Sequence, residues 1–530
     1  MASELDPPAA EHLRSVAAAV YREAPSGWLS ATLSCVVTPI SVSRRLVYHR
    51  PEGPVNDRLF DLPLDPFHSL CRRGGAGQAH VDLTVQSSGD YQALVIWPGE
   101  HGPFSGFRSH LYLLDPGADP LQPGDEEDGP ADASPAGDPQ EAVHLLREVM
   151  RIKYEILGRT EPPRPPASTA MLELLQQRSP VPLPADLLAL YRVSDGGPLT
   201  FDDYEWLSLS ELVGPEGSGG RLEDGRYNRP GWETGWNHTV LETDPLRRVR
   251  RVTGHLGWIP FAHDGGGNYL AVDMAPGPGG RPGQVIEMGR DYDDGALYRA
   301  DSVTGLLRME LKTLKRGDYE APEEDYVELF GPEWEQPADR YAWQRRIDAR
   351  RATLASVGPE VQRLIVLHGT ELDLRPLRNA PRLRDITLTC RNPDLSVLRE
   401  LPVENLELRV DTVDLTPLTG HPTLRTVVLT TEQPVRIAPL STLPKLYGLD
   451  LAEAAVGDLE HLAGATTPRF LMLALEQWQE LRKRTDRPPA PAVAALAGDT
   501  VRHQTALEWA AGFPRFRPPA VARLTGRLEP

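Results

Sequence analysis

The clearest pattern of apolar and polar positions lies in the last third of the chain, where two apolar units alternate. The first reads L-x-x-L-x-L, as Val361/Leu364/Val366, Leu383/Ile386/Leu388, Val403/Leu406/Leu408, Leu424/Val427/Leu429 and Leu446/Leu449/Leu451, with a weaker copy ending at Leu471/Leu473. Its final positions step by 22, 20, 21, 22 and 22 residues. Between the copies a second unit recurs as Leu374/Leu377, Leu395/Leu398, Leu415/Leu418, Ile437/Leu440 and Leu459/Leu462, and Pro381, Pro402, Pro422 and Pro444 precede most of the strands. Alternation is the strand period, so each period predicts one strand and one tight return, and six in register predict a solenoid over 351–475. The strand leucines then point inward, and the residues between them face a concave surface. That surface carries Thr387, Glu407, Arg409, Val428, Asp450, Phe470 and Met472 as candidate protein-binding residues. Phe470 and Met472 either stay accessible as anchors for a partner or lie beneath helices predicted at 474–484 and 492–511. Those helices make 476–530 a helical cap on the open end of the array.

The other two thirds carry different periods. Leu13, Val16, Ala17 and Val20 form a helical stripe, followed by strand-like runs at 28–38, 45–49, 80–86 and 91–96, which together predict a small α+β domain over 1–114. Val143, Leu146, Met150 and Tyr154 share one face of a helix within 141–160. In 161–316, Leu187, Leu188 and Tyr191 form the apolar face of a helix that stops at Asp195-Gly196-Gly197. Two strand-like segments, 268–273 and 284–287, flank a Gly/Pro turn as in a hairpin, and an apolar helix at 303–314 closes the unit. The expected fold class is therefore α+β and multidomain. The middle unit should fold alone, with Trp258 and Tyr269 buried and Gly266 in a conformation closed to β-branched residues.

Composition divides these units. The net charge of the 530 residues is −19, and two segments supply most of it: 115–140 has eight acids and no base, 317–340 nine acids and one base. The first is rich in Pro, Gly and Ala and nearly free of large apolar residues, which predicts an acidic flexible linker. The second keeps Tyr319, Tyr326, Phe330 and Trp334 and is expected to dock as a connector over 317–350. An acidic balance of this size disfavours nucleic acid and anionic membrane surfaces as partners. Cys35, Cys71 and Cys390 have no C-x-x-C spacing, which excludes a disulfide framework and a thiolate zinc site. The first residues lack a basic n-region with an apolar run after it, and no stretch reaches about 18 apolar residues, so the expected location is cytoplasmic.

The middle unit resembles the SUKH superfamily, in its Smi-one/Knr-four-like branch. The resemblance rests on Asp195-Gly196-Gly197, Trp206-Leu207 leading to Leu209, Trp258-Ile259-Pro260-Phe261, Asp264-Gly265-Gly266-Gly267-Asn268 with Tyr269 and Asp273, and Gly283-Gln284-Val285-Ile286. It covers about residues 165–312. It implies an α+β domain that binds other proteins: in bacteria largely as immunity proteins against toxins, in fungi within cell-wall signalling. The branch has no catalytic residues to carry over. The last third resembles a leucine-rich-repeat array, except that Arg391, Asp411, Glu432 and Ala454 stand where that family places Asn or Cys.

Chemical candidates are weak. The glycine run 265–267 is followed by a strand, whereas a phosphate loop needs a helix there, so a tight turn is the better reading. Asp291, Asp293 and Asp294 precede Gly295 in the wrong register for a calcium loop. His255, His263 and Asp264 lack ligand spacing. The basic run Arg247-Arg248-Val249-Arg250-Arg251 reads as a solvated face or a partner for the chain's own acidic linker, with an acidic protein as the alternative. No nucleophile motif occurs. The sequence thus predicts a non-enzymatic protein-binding protein with no cofactor or metal, its most concrete form an immunity protein meeting a toxin domain. The alternative is an intracellular scaffold or regulator.

Overall fold

The computed structural model describes residues 5, 7–39, 41–57, 67, 70–71, 77–99, 101–102, 104–106, 109–115, 117–160, 162–214, 220–226, 228–322, 326–332, 334, 342–465, 467–498 and 501–529. Among the described residues, mixed α and β content is arranged around sheets of six, six, two and ten strands.

The N-terminal sheet holds β1 (Ser30–Val37), β2 (Val42–Arg50), β3 (Gly53–Asp57), β4 (Ala79–Gln86) and β5 (Asp90–Trp97). Ala31, Leu33, Cys35 and Val37 alternate into its core, where α1 (Pro7–Arg22) lays down Leu13, Val16, Ala17 and Val20. Its sixth strand comes from the far end of the chain: β24 (Ala520–Arg527) pairs antiparallel with β5 from Ala520↔Trp97 to Arg527↔Asp90. The helical cap expected over 476–530 is corrected accordingly. That stretch holds α9 (His503–Ala510), a strand on either side of it and most of α8 (Leu475–Arg484). Unpaired strand edges of two distant units are satisfied by this segment, a long-range demand that local periodicity does not carry.

The middle sheet runs in the order β13-β12-β11-β10-β9-β8, comprising β8 (Gly197–Phe201), β9 (Tyr204–Trp206), β10 (Trp258–His263), β11 (Asn268–Asp273), β12 (Gln284–Gly289) and β13 (Leu297–Ala300). Helices α2 (Pro139–Ile156), α4 (Ala185–Tyr191) and α7 (Val303–Arg316) pack one core with it; the short α3 (Thr169–Arg178), α5 (Leu209–Val213) and α6 (Trp232–Gly235) complete the unit. Asp138 caps α2 by accepting from the N–H groups of Gln140 and Glu141. Lys153 of α2 and Glu310 of α7 form an ion pair with both side chains buried. In the connector, β14 (Tyr319–Glu320) pairs with β15 (Glu328–Leu329), and Trp334 is buried with its Nε1–H donating to Thr313 Oγ1 at 2.9 Å. Residues 323–325, 333 and 335–341 of that connector lie outside the described residues.

The ten-stranded sheet contains eight parallel strands in chain order: β16 (Gln344–Asp348), β17 (Arg363–Leu367), β18 (Asp385–Cys390), β19 (Asn405–Val410), β20 (Thr426–Val435), β21 (Gly448–Val456), β22 (Phe470–Leu473) and β23 (Val493–Ala497). Most are joined through 3-10 turns such as Arg375–Asn379, Leu395–Glu400 and Thr416–Leu418. Leu364, Ile386, Leu406, Val427, Leu449 and Leu471 pair in register, and all are buried. The returns are held locally, where Asp373, Asp394 and Asp414 each accept the N–H two residues on. Beyond β23 the sheet continues antiparallel with β7 (Ser109–Leu113) and then β6 (Phe104–Gly106), which come from the first third of the chain.

The acidic segment 115–140 is a second correction. Instead of a flexible linker it contains a 3-10 turn, Pro123–Glu126, and Gln122, Pro123 and Gly124 are buried. Arg250 donates to the carbonyls of Gly124 and Glu127, both at 2.7 Å, and Arg229 pairs with Asp125. Composition alone predicts disorder because it leaves out the arginines that tertiary folding brings to this segment.

Candidate partner-binding surface

The middle-unit motif residues hold the fold. Asp195 Oδ1 accepts the Leu209 N–H at 2.8 Å, and a Cβ on Gly196 (φ 66°) would lie 2.7 Å from Ser208 N. Asp264 takes the N–H groups of Gly266 and Asn268 across the glycine turn, and Asn268 Nδ2 reaches on to Asp291. The left-handed residues in that turn are Gly265 (φ 73°) and Gly267 (φ 109°), not Gly266, which corrects the expectation for that position. Pro260 and Trp258 are buried in β10, and Tyr269 is buried with its hydroxyl donating to Asp224. Asp273 is fully buried. Its carboxylate accepts from Ala275 N and Gln284 Nε2, and burial pushes it up to about 7. Gly283 (φ 93°) donates its N–H to the Asp273 carbonyl.

The concave side of the parallel sheet has three rows across the strands. The first row is Asp385, Asn405, Thr426, Gly448 and Phe470, aligned by the ladder registers. The middle unit covers it. The Trp236 ring stacks on Phe470 with centroids 4.1 Å apart and an interplanar angle of 5°; Trp232 stacks on Tyr447 at 5.6 Å. Phe470 is thus buried by neither a partner nor the C-terminal helices, and its proposed role as an accessible anchor is corrected. Gly448 permits this approach, because a Cβ there would sit 2.6 Å from Trp236 Cε3.

Ion pairs surround the aromatic contact. Arg251 reaches both oxygens of Glu404 at 2.9 and 3.0 Å, and Arg384 bridges Glu404 and Glu242 at 2.9 and 2.8 Å. Arg363 joins Asp294 to Asp385, and Arg425 pairs with Glu126 of the acidic segment. Gln362 exchanges two hydrogen bonds of 2.8 Å with the Glu242 backbone. The basic run near 250 therefore grips the chain's own acidic segment and the sheet together.

Sequence reasoning missed these residues, although a signal existed. Gln362, Arg384, Glu404, Arg425, Tyr447 and Arg469 stand just before successive strands, at the same spacing as the leucines. A polar or aromatic position recurring in register marks a row facing one neighbour. The second and third rows remain partly open: Thr387, Glu407, Val428, Asp450 and Met472 are half-buried, and Arg409 is exposed. Met472 and Val428 rest against the Trp232/Trp236 cluster.

Among the described residues, no group of three or more His, Cys, Asp or Glu could hold a metal ion, and no helix is long and apolar enough to cross a membrane. Comparison with known proteins gives a family for one part of the chain. Residues 166–309 match the SMI1 / KNR4 family (SUKH-1). Similar proteins include the glucan synthesis regulatory protein of Neurospora crassa, 43% identical over 67 residues, which are 12% of this chain and 13% of that one. The cell wall biosynthesis/cell cycle regulator smi1 of Schizosaccharomyces pombe is 39% identical over 94 residues, 17% and 18% of the two chains. The cell wall assembly regulator SMI1 of Saccharomyces cerevisiae is 36% identical over 87 residues, 16% of each. The chain thus spans under a fifth of the length of these relatives. Within those limits, residues 166–309 form a SMI1/KNR4 (SUKH) domain set into a longer α+β chain.

Proposed function

We propose that this protein is a non-enzymatic regulatory scaffold that acts in the cytoplasm by binding other proteins. The observation that carries this reading is the SMI1/KNR4 domain at 166–309, whose similar proteins are named as regulators of cell-wall assembly and glucan synthesis. These names favour regulation over the immunity role. The parallel stack from β16 to β23 is read as a leucine-rich-repeat-like solenoid, a second recognition surface fixed to the first by the Trp236–Phe470 seam. An acidic net charge suits a protein partner better than nucleic acid or an anionic membrane. The test is capture of cross-linked partners by the tagged full chain in its native cells, followed by mass spectrometry and deletion of residues 166–309. Specific partners lost with that deletion support the reading. Capture indifferent to the deletion, or turnover of a nucleotide or ester by the purified protein, overturns it.

A further inference from the structure

The face of the N-terminal sheet turned away from α1 is only partly covered. Along β1, Ala31, Leu33, Cys35 and Val37 are buried on the helix side, so Ser34 and Val36 lie on the other face. There they stand beside Arg45 and Ser43 of β2 and beside Asp82 and His80 of β4. The start of α9 and strand β7 close over the β4 side. Gln504 donates its N–H to Asp82 Oδ2 at 2.9 Å, Ser34 Oγ donates to Asp82 Oδ1 at 2.7 Å, and the His503 ring packs on those of His80 and His110. On the β2 side the two walls stand apart and leave a partly open cavity of about 620 Å³. That volume is within the range of about 300–1,000 Å³ usual for small-molecule sites.

The chemistry of these walls is one-sided. In a chain of net charge −19, no Asp or Glu is among the described residues that line the cavity, whereas Arg44 and Arg45 both are. Asp82 lies behind the wall, buried, with both oxygens already engaged. Burial lowers the pKa of the two histidines that line the cavity, His110 and His503, and keeps them neutral near pH 7, so the arginines supply the positive charge. A guanidinium carries five donors in a planar fork and serves a second acceptor while keeping a first, as Arg363 does between Asp294 and Asp385. The hydroxyls of Ser43 and Ser109, half-buried on opposite walls, make no hydrogen bond among the described residues. His503 is only 5% exposed, and its Nδ1 is buried with no hydrogen-bond partner. Val36 and Val501 add an apolar patch.

We propose that this cavity binds a small phosphate ester with a hydroxylated body, of the size of a sugar or nucleoside monophosphate. Arg44, Arg45 and the Ser43 hydroxyl meet the phosphate, and the body lies against Val36, Val501, Ser109 and His503. The class follows from the walls. Two guanidinium groups and unengaged hydroxyls are donors that match phosphate oxygens, in a part of this acidic chain where no carboxylate opposes an anion. Inorganic phosphate would use the arginines and leave most of the volume and the apolar patch unfilled, and a cation would meet only like charge. The site lies outside residues 166–309, so its test is independent of the scaffold reading.

The test titrates the full chain with ribose 5-phosphate, glucose 6-phosphate and AMP by isothermal calorimetry, beside ribose and inorganic phosphate. At least one ester should bind roughly tenfold or more tightly than either ribose or inorganic phosphate. Arg45→Gln should weaken that ester roughly tenfold or more, and Ser43→Val, a residue suited to a strand, should weaken it too. Arg391→Gln, which changes an exposed arginine just past β18, should bind as the parent does. Arg45→Lys keeps the charge and should bind more tightly than Arg45→Gln at an equal melting temperature, which separates binding from folding. Hydrogen exchange of the unaltered protein is a further readout that no substitution confounds: the ester should slow exchange in β1, β2 and the start of α9 and leave β17 to β20 unchanged. Binding by none of the three esters overturns the site. So does equal affinity for the ester and inorganic phosphate, which means an adventitious ion only, and so does equal affinity of the parent and Arg45→Gln. Protection confined to residues 166–309 overturns it as well.

Discussion

Replacing Trp236 with alanine tests whether the middle unit and the parallel sheet form one body. Trp236 is 7% exposed and Phe470 0%, with their rings stacked at 4.1 Å. A buried tryptophan removes about 150–250 Å² from water, which at about 25 cal/mol/Å² is roughly 4–6 kcal/mol as an upper bound. Large-to-small replacements of this kind cost about 3–5 kcal/mol, and the ring pair itself contributes about 0.5–1.5 kcal/mol beyond area. We expect Trp236→Ala to lower the unfolding free energy of the transition shared by the two units by an amount in that range, seen as a lower urea midpoint at unchanged slope. Within the seam, the cycle of Trp236→Ala, Phe470→Ala and the double variant should give a coupling of about 0.5–1.5 kcal/mol, read from urea unfolding followed by circular dichroism. Additivity within about 0.3 kcal/mol, or an unchanged midpoint in Trp236→Ala, would refute the claim that this contact joins the units.

Three further outcomes follow from the same contacts. Gly448→Val places a side chain where even a Cβ would lie 2.6 Å from Trp236 Cε3, so it should destabilise by about 1–3 kcal/mol in the parent. In the Trp236→Ala background that penalty should shrink, and a thermal melt of the four proteins measures the difference. Lys153→Met strands the Glu310 carboxylate in the core and should cost about 3–5 kcal/mol, whereas Lys153→Met/Glu310→Leu should recover most of it; urea unfolding distinguishes the two. His80 of β4, His110 of β7 and His503 of α9 are buried together, with ring centroids 4.7 and 5.0 Å apart between His503 and its two neighbours, facing Asp82 and Arg502. Burial lowers all three pKa values, His503 to about 4 from an ordinary 6.5. The unfolded chain then binds more protons than the folded one as pH falls below about 6.5, so stability falls with pH through that window. Hydrogen exchange should show β7 and α9 opening first at low pH, and equal protection at pH 7 and 5 would contradict this.

Local pattern determined a good deal. The leucine spacing placed the strands β17 to β22 because a side-chain period of two in a fixed repeat is written residue by residue. The glycine and aspartate motifs of the middle unit announced its turns, since positive φ and Asx capping are local demands. Position within a turn was less legible: Gly265 and Gly267 take the left-handed conformation while Gly266, between them, does not. What only the tertiary structure decided is what lies against each surface. Phe470 reads as a solvent-facing residue of a strand, yet Trp236, 234 positions earlier, covers it. The acidic segment 115–140 reads as disordered until Arg229, Arg250, Arg251 and Arg425 supply the charge that orders it. The C-terminal residues read as a cap, but β23 and β24 complete sheets begun by the first hundred or so residues. The physical reason is the same in each case. Periodicity fixes which face of an element is apolar or charged, while the partner that satisfies that face is chosen by long-range packing, which leaves no local mark in the sequence.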